Sequence, residues 1–370
     1  MAKKRFIDTR DQSFFGNYIY DLVVPQDHFL RLLNQLIEWD RFTDRLLELY
    51  GGGAEYGRPP FNPTQILKMC LLVYFYNLSE RQIEVFVNEN IPAKYFVGLG
   101  LDQRAPDHST LSVFRTRLIK EGNLDIFENL LAEIIGIALQ SGIKFGPIQV
   151  IDSVHSQANV NTSKDQGRKG GSQGPRDPDA KWGVKGKQTF KNQQGKDVHQ
   201  IKYFYGYKGH VSMNAENNLI TSLEVTSGEA YDGHHFCSLV DKDLAQHIPV
   251  DTYTADRGYD DGNNHFYLET QNLNSAICLK NPRTKKKDHN KQIWLDLVQT
   301  SAYKTGCKER YKIERKFGEA KKEHGLGRCR YLSLLGFGVQ AYFTAIVLNL
   351  KRIVKILTGV GLKTAAVSVS

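Results

Sequence analysis

The hydrophobic pattern of the chain changes its period near Pro147, and this change most restricts the folds that the sequence allows. Between Asp27 and Gln140, apolar residues recur at helical spacing, as they do from Phe29 to Ile37. After Pro147, short β-rich runs alternate with helical patterns, beginning with Ile148 to Ile151. The sequence therefore predicts an α/β fold, a mixed sheet flanked by helices, preceded by an all-helical N-terminal domain.

The changes in pattern suggest domain limits. We expect a helical domain over residues 1–146, an α/β domain over 147–357 and a C-terminal tail over 358–370. The Gly-, Lys- and Gln-rich residues 163–200 predict a mobile basic loop inside the second domain. Further strands are expected at Tyr203–Met213, Leu219–Thr226, Thr252–Ala255 and Ala276–Leu279, and helices at His235–Leu244, Lys308–His324 and Val339–Leu357.

Two predicted helices of the N-terminal region could belong to one motif. Ser79 with Gln82 has the form of a capping box. A second helix, Leu111 to Lys120, carries Arg115 and Arg117. Such a pair resembles a helix-turn-helix, although any all-helical domain contains similar pairs. The pattern leaves DNA binding, dimerisation and simple packing open.

The positive charge is concentrated in the second half of the chain. The 49 Lys and Arg residues exceed the 40 Asp and Glu residues by nine. Residues 280–330 hold sixteen basic and six acidic residues (+10), and residues 163–200 hold nine and four (+5), whereas residues 1–146 carry −2. Localised positive charge predicts a polyanionic partner, and a solvated Lys/Arg surface is the alternative.

The five cysteines contain no CxxC pair, which favours reduced cytosolic thiols over disulfides or a zinc site. The N-terminus lacks the apolar core of a signal peptide. The most apolar segment, Leu332 to Leu350, is interrupted by polar residues and is expected to be a buried helix. We therefore expect a cytoplasmic protein, associated with the nucleoid and not with a membrane.

Asp152 and Asp256 each end a short apolar β run. Side chains at such positions emerge at the edge of a sheet, where α/β folds place ligand and metal sites. Aspartate also ends strands simply as a turn former. For either residue alone, both interpretations remain open.

A third acidic residue lies on a basic helical segment. Arg310, Glu314 and Lys321 have the spacing R-x3-E-x6-K and fall within roughly 40° of one another at about 100° per residue. A carboxylate on this stripe could bind a metal while the two cations grip phosphates. The alternative is an ordinary ion-pair face of a surface helix.

Several segments in this order resemble one family, the DDE transposases of bacterial insertion sequences with a Y-x2-R-x3-E-x6-K signature. The resemblance covers about residues 147–355, and the helical region is similar to the domain that precedes it in many members. The matching segments are Ile151-Asp-Ser153, Tyr205-Gly-Tyr-Lys-Gly-His210, Thr254-Ala-Asp-Arg-Gly-Tyr259, the R-x3-E-x6-K helix, His324-Gly-Leu326, Arg328 to Tyr331 and Asn349-Leu-Lys-Arg352.

The resemblance implies an RNase H-like fold and a transposase that cleaves DNA strands and transfers them at insertion-sequence ends. Asp152, Asp256 and Glu314 would be the catalytic residues and the metal ligands. Three converging carboxylates need a cation, and the implied cofactor is Mg²⁺, two ions per active site, with Mn²⁺ as a substitute. The residues implied as phosphate contacts are Arg310, Lys321, Arg328 and Arg330.

The chain departs from the signature at one position and allows a second register. The tyrosine position is occupied by Cys307, so its ring is absent or supplied by Tyr303 or Tyr311. Arg315 and Glu319 also give R-x3-E, but Leu326 would then occupy the lysine position. We prefer Glu314 because only that register keeps the lysine.

The expected partner is double-stranded DNA, both the terminal inverted repeats and the target. Two element ends must be held together, which predicts a homodimer on DNA. The apolar stripe that includes Ile66, Met69 and Val73 could pair two copies or serve the domain's own core. The alternative functions are an RNase H-like nuclease without strand transfer and a domesticated DNA-binding relative.

Overall fold

The structure is a computed structural model that describes residues 6, 14–50, 59–119, 124–163, 175–191, 194–195, 197–280 and 290–362. The chain divides into two compact units, residues 1–127 with 346–370, and residues 128–345. The domain limits expected from the sequence, 1–146 and 147–357, remain predictions beside this division.

The first unit is helical, as the sequence predicts. Its N-terminal helices are α1 (Phe14–Val23), α2 (Phe29–Leu36), α3 (Thr43–Leu47), α4 (Pro63–Phe75), α5 (Glu80–Glu89), α6 (Ile91–Val97) and α7 (His108–Leu118). The capping box is present: the Gln82 N–H donates to Ser79 Oγ over 3.2 Å, and the Ser79 N–H donates to Gln82 Oε1 over 2.9 Å. The side chain of Asn62 caps α4, with Pro63 in the first turn.

Two expectations for this unit need correction. All thirteen residues of α4 are buried, so the stripe with Ile66, Met69 and Val73 cannot face a second copy. Helix α6 lies between α5 and α7 in the chain, so these are not consecutive helices joined by a turn. Arg115 of α7 forms an ion pair with Glu80, the first residue of α5. The helix-turn-helix interpretation therefore has no support in the fold.

A mixed sheet organises the second unit. Its strands are β1 (Ile148–Gln157), β2 (Lys181–Lys191), β3 (Asp197–Asn214), β4 (Ile220–Ser227), β5 (Thr252–Ala255) and β6 (Asn274–Ile277). Their order is β2-β3-β1-β5-β6, and β4 also pairs with β3. The β1–β3 and β3–β4 pairs are antiparallel, whereas β1, β5 and β6 run parallel. This antiparallel meander joined to parallel strands is the RNase H-like arrangement that the sequence predicted.

Helices cover both faces of the parallel strands. The remaining helices of the chain are α8 (Asp125–Gln140), α9 (Phe236–Ala245), α10 (Gly262–Thr270), α11 (Asn290–Gln299), α12 (Ser301–Glu309), α13 (Tyr311–Glu323) and α14 (Leu334–Thr358). Tyr253 and Ala255 of β5 belong to a buried cluster with residues of α9 and α10. The alternate residues Thr252 and Thr254 contact Gly306 of α12. Since neighbouring strand residues point to opposite faces, α12 lies on the other side of the sheet.

The basic segment 163–200 differs from its prediction. Residues 181–191 form β2, which pairs with β3, and β3 itself begins at Asp197. The Gly- and Lys-rich composition hid this hairpin, because both of its strands carry exposed side chains and bury no apolar face that would give a strand pattern. Residues 164–174 lie outside the described part of the chain.

The C-terminal helices start earlier than expected. The helix expected at Lys308–His324 is α12 followed by α13, which meet at Arg310 with helical backbone angles. Helix α14 is long and apolar enough to cross a membrane, but 83% of its most apolar window is buried inside the protein. The expectation of a buried helix at Leu332–Leu350 is confirmed.

Candidate active site

Asp152 lies in the middle of β1, between β3 on one side and β5 on the other, and not at the end of a strand as the sequence predicted, because β1 continues to Gln157. It is partly buried, and its carboxylate accepts the N–H of Ser153 over 2.8 Å. Burial raises the pKa of Asp152 to about 7, with a further upward contribution from Asp256 and opposing contributions from Ser153 and Arg310. Burial therefore favours the protonated form of this carboxyl group, whereas a nearby cation would favour its ionised form.

Asp256 follows β5 directly. The parallel register pairs Ile151 with Ala255, which places Asp256 and Asp152 at the next step of the two strands. Asp256 Oδ1 accepts the N–H of Gly258 over 2.7 Å and so caps the 3₁₀ turn Arg257–Tyr259. A Cβ at Gly258 would lie 2.8 Å from Asp256 Oδ1. The aspartate is therefore both a turn former and a neighbour of Asp152, and the turn needs glycine.

Glu314 lies in the first turn of α13. Its carboxylate forms an ion pair with Arg310 over 2.8 Å, and 55% of the side chain is exposed. The charges of Arg310 and Lys321 both act on Asp152. These two cations bracket Glu314 on one helical stripe, so Glu314 lies on the side of α13 that faces β1. The structure thus brings Asp152 and Asp256 together and links Glu314 to them through Arg310.

The second register places Glu319 elsewhere. Glu319 is 140° away from Glu314 around an ideal helix, by about 100° per residue, and pairs with Lys316 over 3.1 Å. Its ligand atoms lie within 4.8 Å of those of Glu323 and His324, the one such group of three among the described residues. Asp152, Asp256 and Glu314 do not form a group at that spacing, since Glu314 turns toward Arg310.

A fourth carboxylate was missed by the sequence analysis. Asp232, at the start of the 3₁₀ turn Asp232–His235, accepts hydrogen bonds from Ser153 Oγ over 3.0 Å and from Lys208 Nζ over 2.8 Å. Its charge also acts on Asp152. A weak signal for Asp232 lay in its two partners, because Lys208 belongs to the Tyr205–His210 motif and Ser153 follows Asp152. No pattern indicated that Asp232 would meet both.

His210 on β3 is buried and stacks on His235, with ring centroids 4.3 Å apart. Burial, then the neighbouring His235, lowers the pKa of His210 to about 4. It donates to or accepts from Thr226 Oγ1 over 2.9 Å. A neutral, buried ring of this kind supports the strand next to the site and cannot touch DNA phosphates.

Lysines from three elements surround His155 of β1. Burial lowers the pKa of His155 to about 4, and Lys321 of α13, Lys185 of β2 and Lys208 of β3 lower it further. His155 lies three residues from Asp152 on the same strand. Because the charge of Lys321 acts on Asp152 and also on Lys185, these two lysines form an electropositive rim beside the carboxylates, as a polyanionic ligand requires.

The two remaining predicted phosphate contacts follow α13. Arg328 is exposed, and the backbone on both sides of it bonds to Gln157 at the end of β1: the Gln157 N–H donates to Gly327, and the Cys329 N–H donates to Gln157. Arg330 is partly buried, and its N–H donates to Gln340 Oε1 over 2.7 Å. These bonds place Arg328 at the far end of the strand that carries Asp152, and they hold Arg330 against α14.

A shallow cavity of about 270 Å³ adjoins the site. It is lined by Lys208 and Asp232, by the aromatic side chains of Trp182 and Tyr231, and by neighbouring backbone. Trp182 also packs against Tyr205, with ring centroids 5.4 Å apart. Trp182 therefore packs against a neighbouring ring while 46% of the residue remains exposed.

Comparison with protein families gives two matches. The model described as "Transposase DDE domain" matches residues 144–350, and the model described as "Transposase domain (DUF772)" matches residues 18–117. Among solved structures, the "Mos1 transposase paired-end complex with left transposon end" is 11% identical, with 75% of this chain and 82% of that chain covered and a TM-score of 0.20. The Mos1 mariner paired-end complex with Mn is 11% identical, with 80% and 87% covered and a TM-score of 0.20.

Proposed function

The chain belongs to the transposase DDE domain family, and from this premise we propose that Asp152, Asp256 and Glu314 are its catalytic and metal-binding triad. It is a DDE transposase, a metal-dependent polynucleotidyl transferase and nuclease that binds DNA and carries out transposition. The observation that carries the proposed triad is the placement of Asp152 beside Asp256, next to the Arg310–Glu314 ion pair.

The donor set fits a hard divalent cation. The family implies use of a divalent metal ion, and we assign Mg²⁺, two ions per active site, with Mn²⁺ as a substitute, because all proposed ligands are carboxylate oxygens. The raised pKa of Asp152 supports this assignment, since a cation would remove the cost of ionising a buried carboxyl beside Asp256. When bound, the ions would activate the attacking water or DNA 3′-hydroxyl and stabilise the leaving 3′ oxygen.

Backbone and side-chain groups around the proposed triad hold its carboxylates in place. Gly258 fixes one oxygen of Asp256, so that the other can serve as ligand. Asp232 orients Ser153, the residue next to Asp152, while Lys208 compensates the charge of Asp232. Arg310 neutralises Glu314 and eases the ionisation of Asp152.

We assign DNA phosphate contacts to Arg310, Lys321, Arg328 and Arg330, and add Lys185 from the basic hairpin. Arg310, Lys321 and Lys185 lie near Asp152, and Arg328 lies beyond it at the end of β1, where a DNA strand passing the site would meet them. Phosphate contacts position DNA without reading its sequence. The enzyme would then act in the cytoplasm, at the nucleoid.

The substrate is proposed to be insertion-sequence ends with terminal inverted repeats, followed by target DNA. Two copies would pair two ends as a homodimer on DNA. The segment 1–146 would contribute DNA binding, dimerisation or both, through surfaces other than the buried α4. The R-x3-E-x6-K residues favour the signature subgroup. In this chain Cys307 occupies the position of the signature's tyrosine.

Cleavage of a DNA duplex that carries the gene's own flanking sequence tests the triad. Asp152→Asn, Asp256→Asn and Glu314→Gln should each lower Mg²⁺-dependent cleavage by more than about 10³-fold while DNA binding persists. Glu319→Gln is the matched control, since Glu319 pairs with Lys316 on another face of α13, and it should cleave normally.

Two results would contradict the assignment. If Glu319→Gln is inactive and Glu314→Gln cleaves, the second register is correct. If the wild type cleaves but cannot join a pre-cut 3′-hydroxyl end to target DNA, the chain hydrolyses without strand transfer.

A further inference from the structure

Two of the five cysteines lie against each other beside the active site. The Sγ atoms of Cys278 and Cys307 are 3.7 Å apart, and both thiols are free and partly buried. Cys278 follows β6, and its N–H donates to the carbonyl of Ala255, the residue before Asp256. Cys307 lies on α12, three residues before Arg310.

Packing holds the two thiols together. Gly306 is buried against β6 so closely that a Cβ there would lie 2.4 Å from the Cβ of Ala276. This approach brings the next residue, Cys307, over the end of β6, where its Sγ lies 3.5 Å from the Ala276 carbonyl. A disulfide has an S–S distance of about 2.05 Å, so a shift of less than about 2 Å would join the sulfurs.

The two thiols differ in reactivity. The hydrogen bond from Cys307 lowers the pKa of Cys278 to about 7, and Arg310 lowers it further against the opposing effect of burial. The same hydrogen bond, with burial, raises the pKa of Cys307, and burial raises the pKa of Cys70 and of Cys329 to about 12. Because the thiolate is the attacking species, Cys278 is the nucleophile of the pair at neutral pH.

We infer that Cys278 and Cys307 are a disulfide-forming site whose closure ties α12 to the end of β6 and displaces Arg310. The oxidant is a low-molecular-weight disulfide of the glutathione class. The Cys278 thiolate attacks one sulfur of that disulfide and releases one thiolate. Cys307 then loses its proton, attacks the Cys278 sulfur and expels the second thiolate. The protein gives up two electrons and two protons, and the small disulfide becomes two thiols.

Formation of the disulfide would shift the residues that follow α12. Arg310 joins α12 to α13, pairs with Glu314 and eases the ionisation of Asp152. Drawing Cys307 toward Cys278 shifts this junction. A misplacement of about 1 Å near a reacting centre can cost about 10²-fold in rate. This consequence rests on the proposed function of the triad, whereas formation of the disulfide does not.

Peptide mapping tests the disulfide. The full-length reduced protein is treated with oxidised glutathione, digested without reduction and analysed by mass spectrometry. We expect a Cys278–Cys307 cross-linked peptide lacking two hydrogen atoms. Cys307→Ser should instead retain glutathione on Cys278. Cys237→Ser, which removes a thiol elsewhere, should cross-link like the wild type. A wild type that keeps glutathione on Cys278, or reacts at neither thiol, refutes the site.

Cleavage assays test the consequence. For each protein the rate after oxidation is divided by the rate of its reduced form. We expect at least a tenfold loss in the wild type, reversed by dithiothreitol, and a ratio near one for Cys278→Ser, which cannot form the Cys278–Cys307 disulfide. A cross-linked wild type that cleaves at its reduced rate refutes the coupling to Arg310. If the reduced wild type does not cleave at all, the proposed function fails while the peptide map still decides the disulfide.

Discussion

The two aspartates and the glutamate of the proposed triad are held by different kinds of structure. Asp152 and Asp256 belong to paired parallel strands, and the register of β1 against β5 sets their spacing. Glu314 lies on a helix, is 55% exposed and is held by Arg310. An exposed i, i+4 pair of this kind contributes only about 0.3–0.5 kcal/mol. The fold fixes two of the proposed ligands and leaves the third free to turn.

Because of this difference, the two aspartates and Glu314 would contribute to metal binding in different ways. Moving Asp256 would break its bond to Gly258 and disturb a turn next to the sheet. Turning Glu314 away from Arg310 costs little, because water solvates both groups. We therefore expect the aspartates to form the preorganised part of the site, while Glu314 completes it when a cation and DNA are present.

Gly258→Ala should break the fixed half of the site. The new Cβ would meet Asp256 Oδ1 at 2.8 Å, so the carboxylate or the turn must move. We expect a loss of cleavage of about 10²-fold, the scale of a displacement of about 1 Å. Cleavage kinetics at saturating Mg²⁺ measure it, and DNA affinity should hardly change.

Gly262→Ala is the matched control. Gly262 opens α10, and a Cβ there meets nothing within 4 Å, so cleavage should remain normal. If Gly258→Ala cleaves like the wild type, Asp256 is not fixed in the way that its bond to Gly258 suggests.

The sequence predicted the parts of the fold that leave a periodic trace. Strand β5 was predicted at its observed limits, and the β-rich run before Asp152 marked the start of β1. Asp152 and Asp256 became candidates because each ends an apolar run, and Glu314 became one because helical geometry sets Arg310 and Lys321 on its stripe. The resemblance to DDE transposases then selected these three residues.

The features that the sequence hid depend on long-range pairing. Asp232 meets Ser153 across 79 residues, and no local pattern records that contact. Strand β2 and the first residues of β3 were predicted as a loop, so the position of Lys185 beside Lys321 could not be foreseen. Tertiary packing decides such contacts, and local composition does not.

Burial of Asp152 should make the stability of the metal-free fold depend on pH. The pKa of Asp152 is raised from 3.8 to about 7 in the folded chain. Its protonated form therefore stabilises the metal-free fold below about pH 4, and this stability is lost as the pH rises to about 7. Relative to the wild type, Asp152→Asn should gain a few degrees in Tm between pH 5 and 8. Thermal unfolding in a chelator measures the difference.

Saturating Mg²⁺ should restore the wild type at pH 8, because a cation favours the ionised carboxylate. A difference between Asp152→Asn and the wild type that stays flat from pH 5 to 8 would show that burial does not penalise the ionised Asp152, and the contrast between strand and helix would fail.

The smallest expected effect concerns the cations that surround both halves of the site. Lys185 acts on Lys321 and on His155, so it belongs to the rim beside the carboxylates. If this rim grips phosphates, Lys185→Ala removes about one counterion-releasing contact. The slope of log affinity against log salt should fall by about one, with roughly threefold weaker binding at moderate salt. Lys144→Ala is the matched control: Lys144 is exposed, but it precedes β1 at the end away from Gln157. Fluorescence anisotropy with end DNA compares the two. Equal slopes for the two variants would place the DNA elsewhere and leave the lysines around His155 without a role in gripping it.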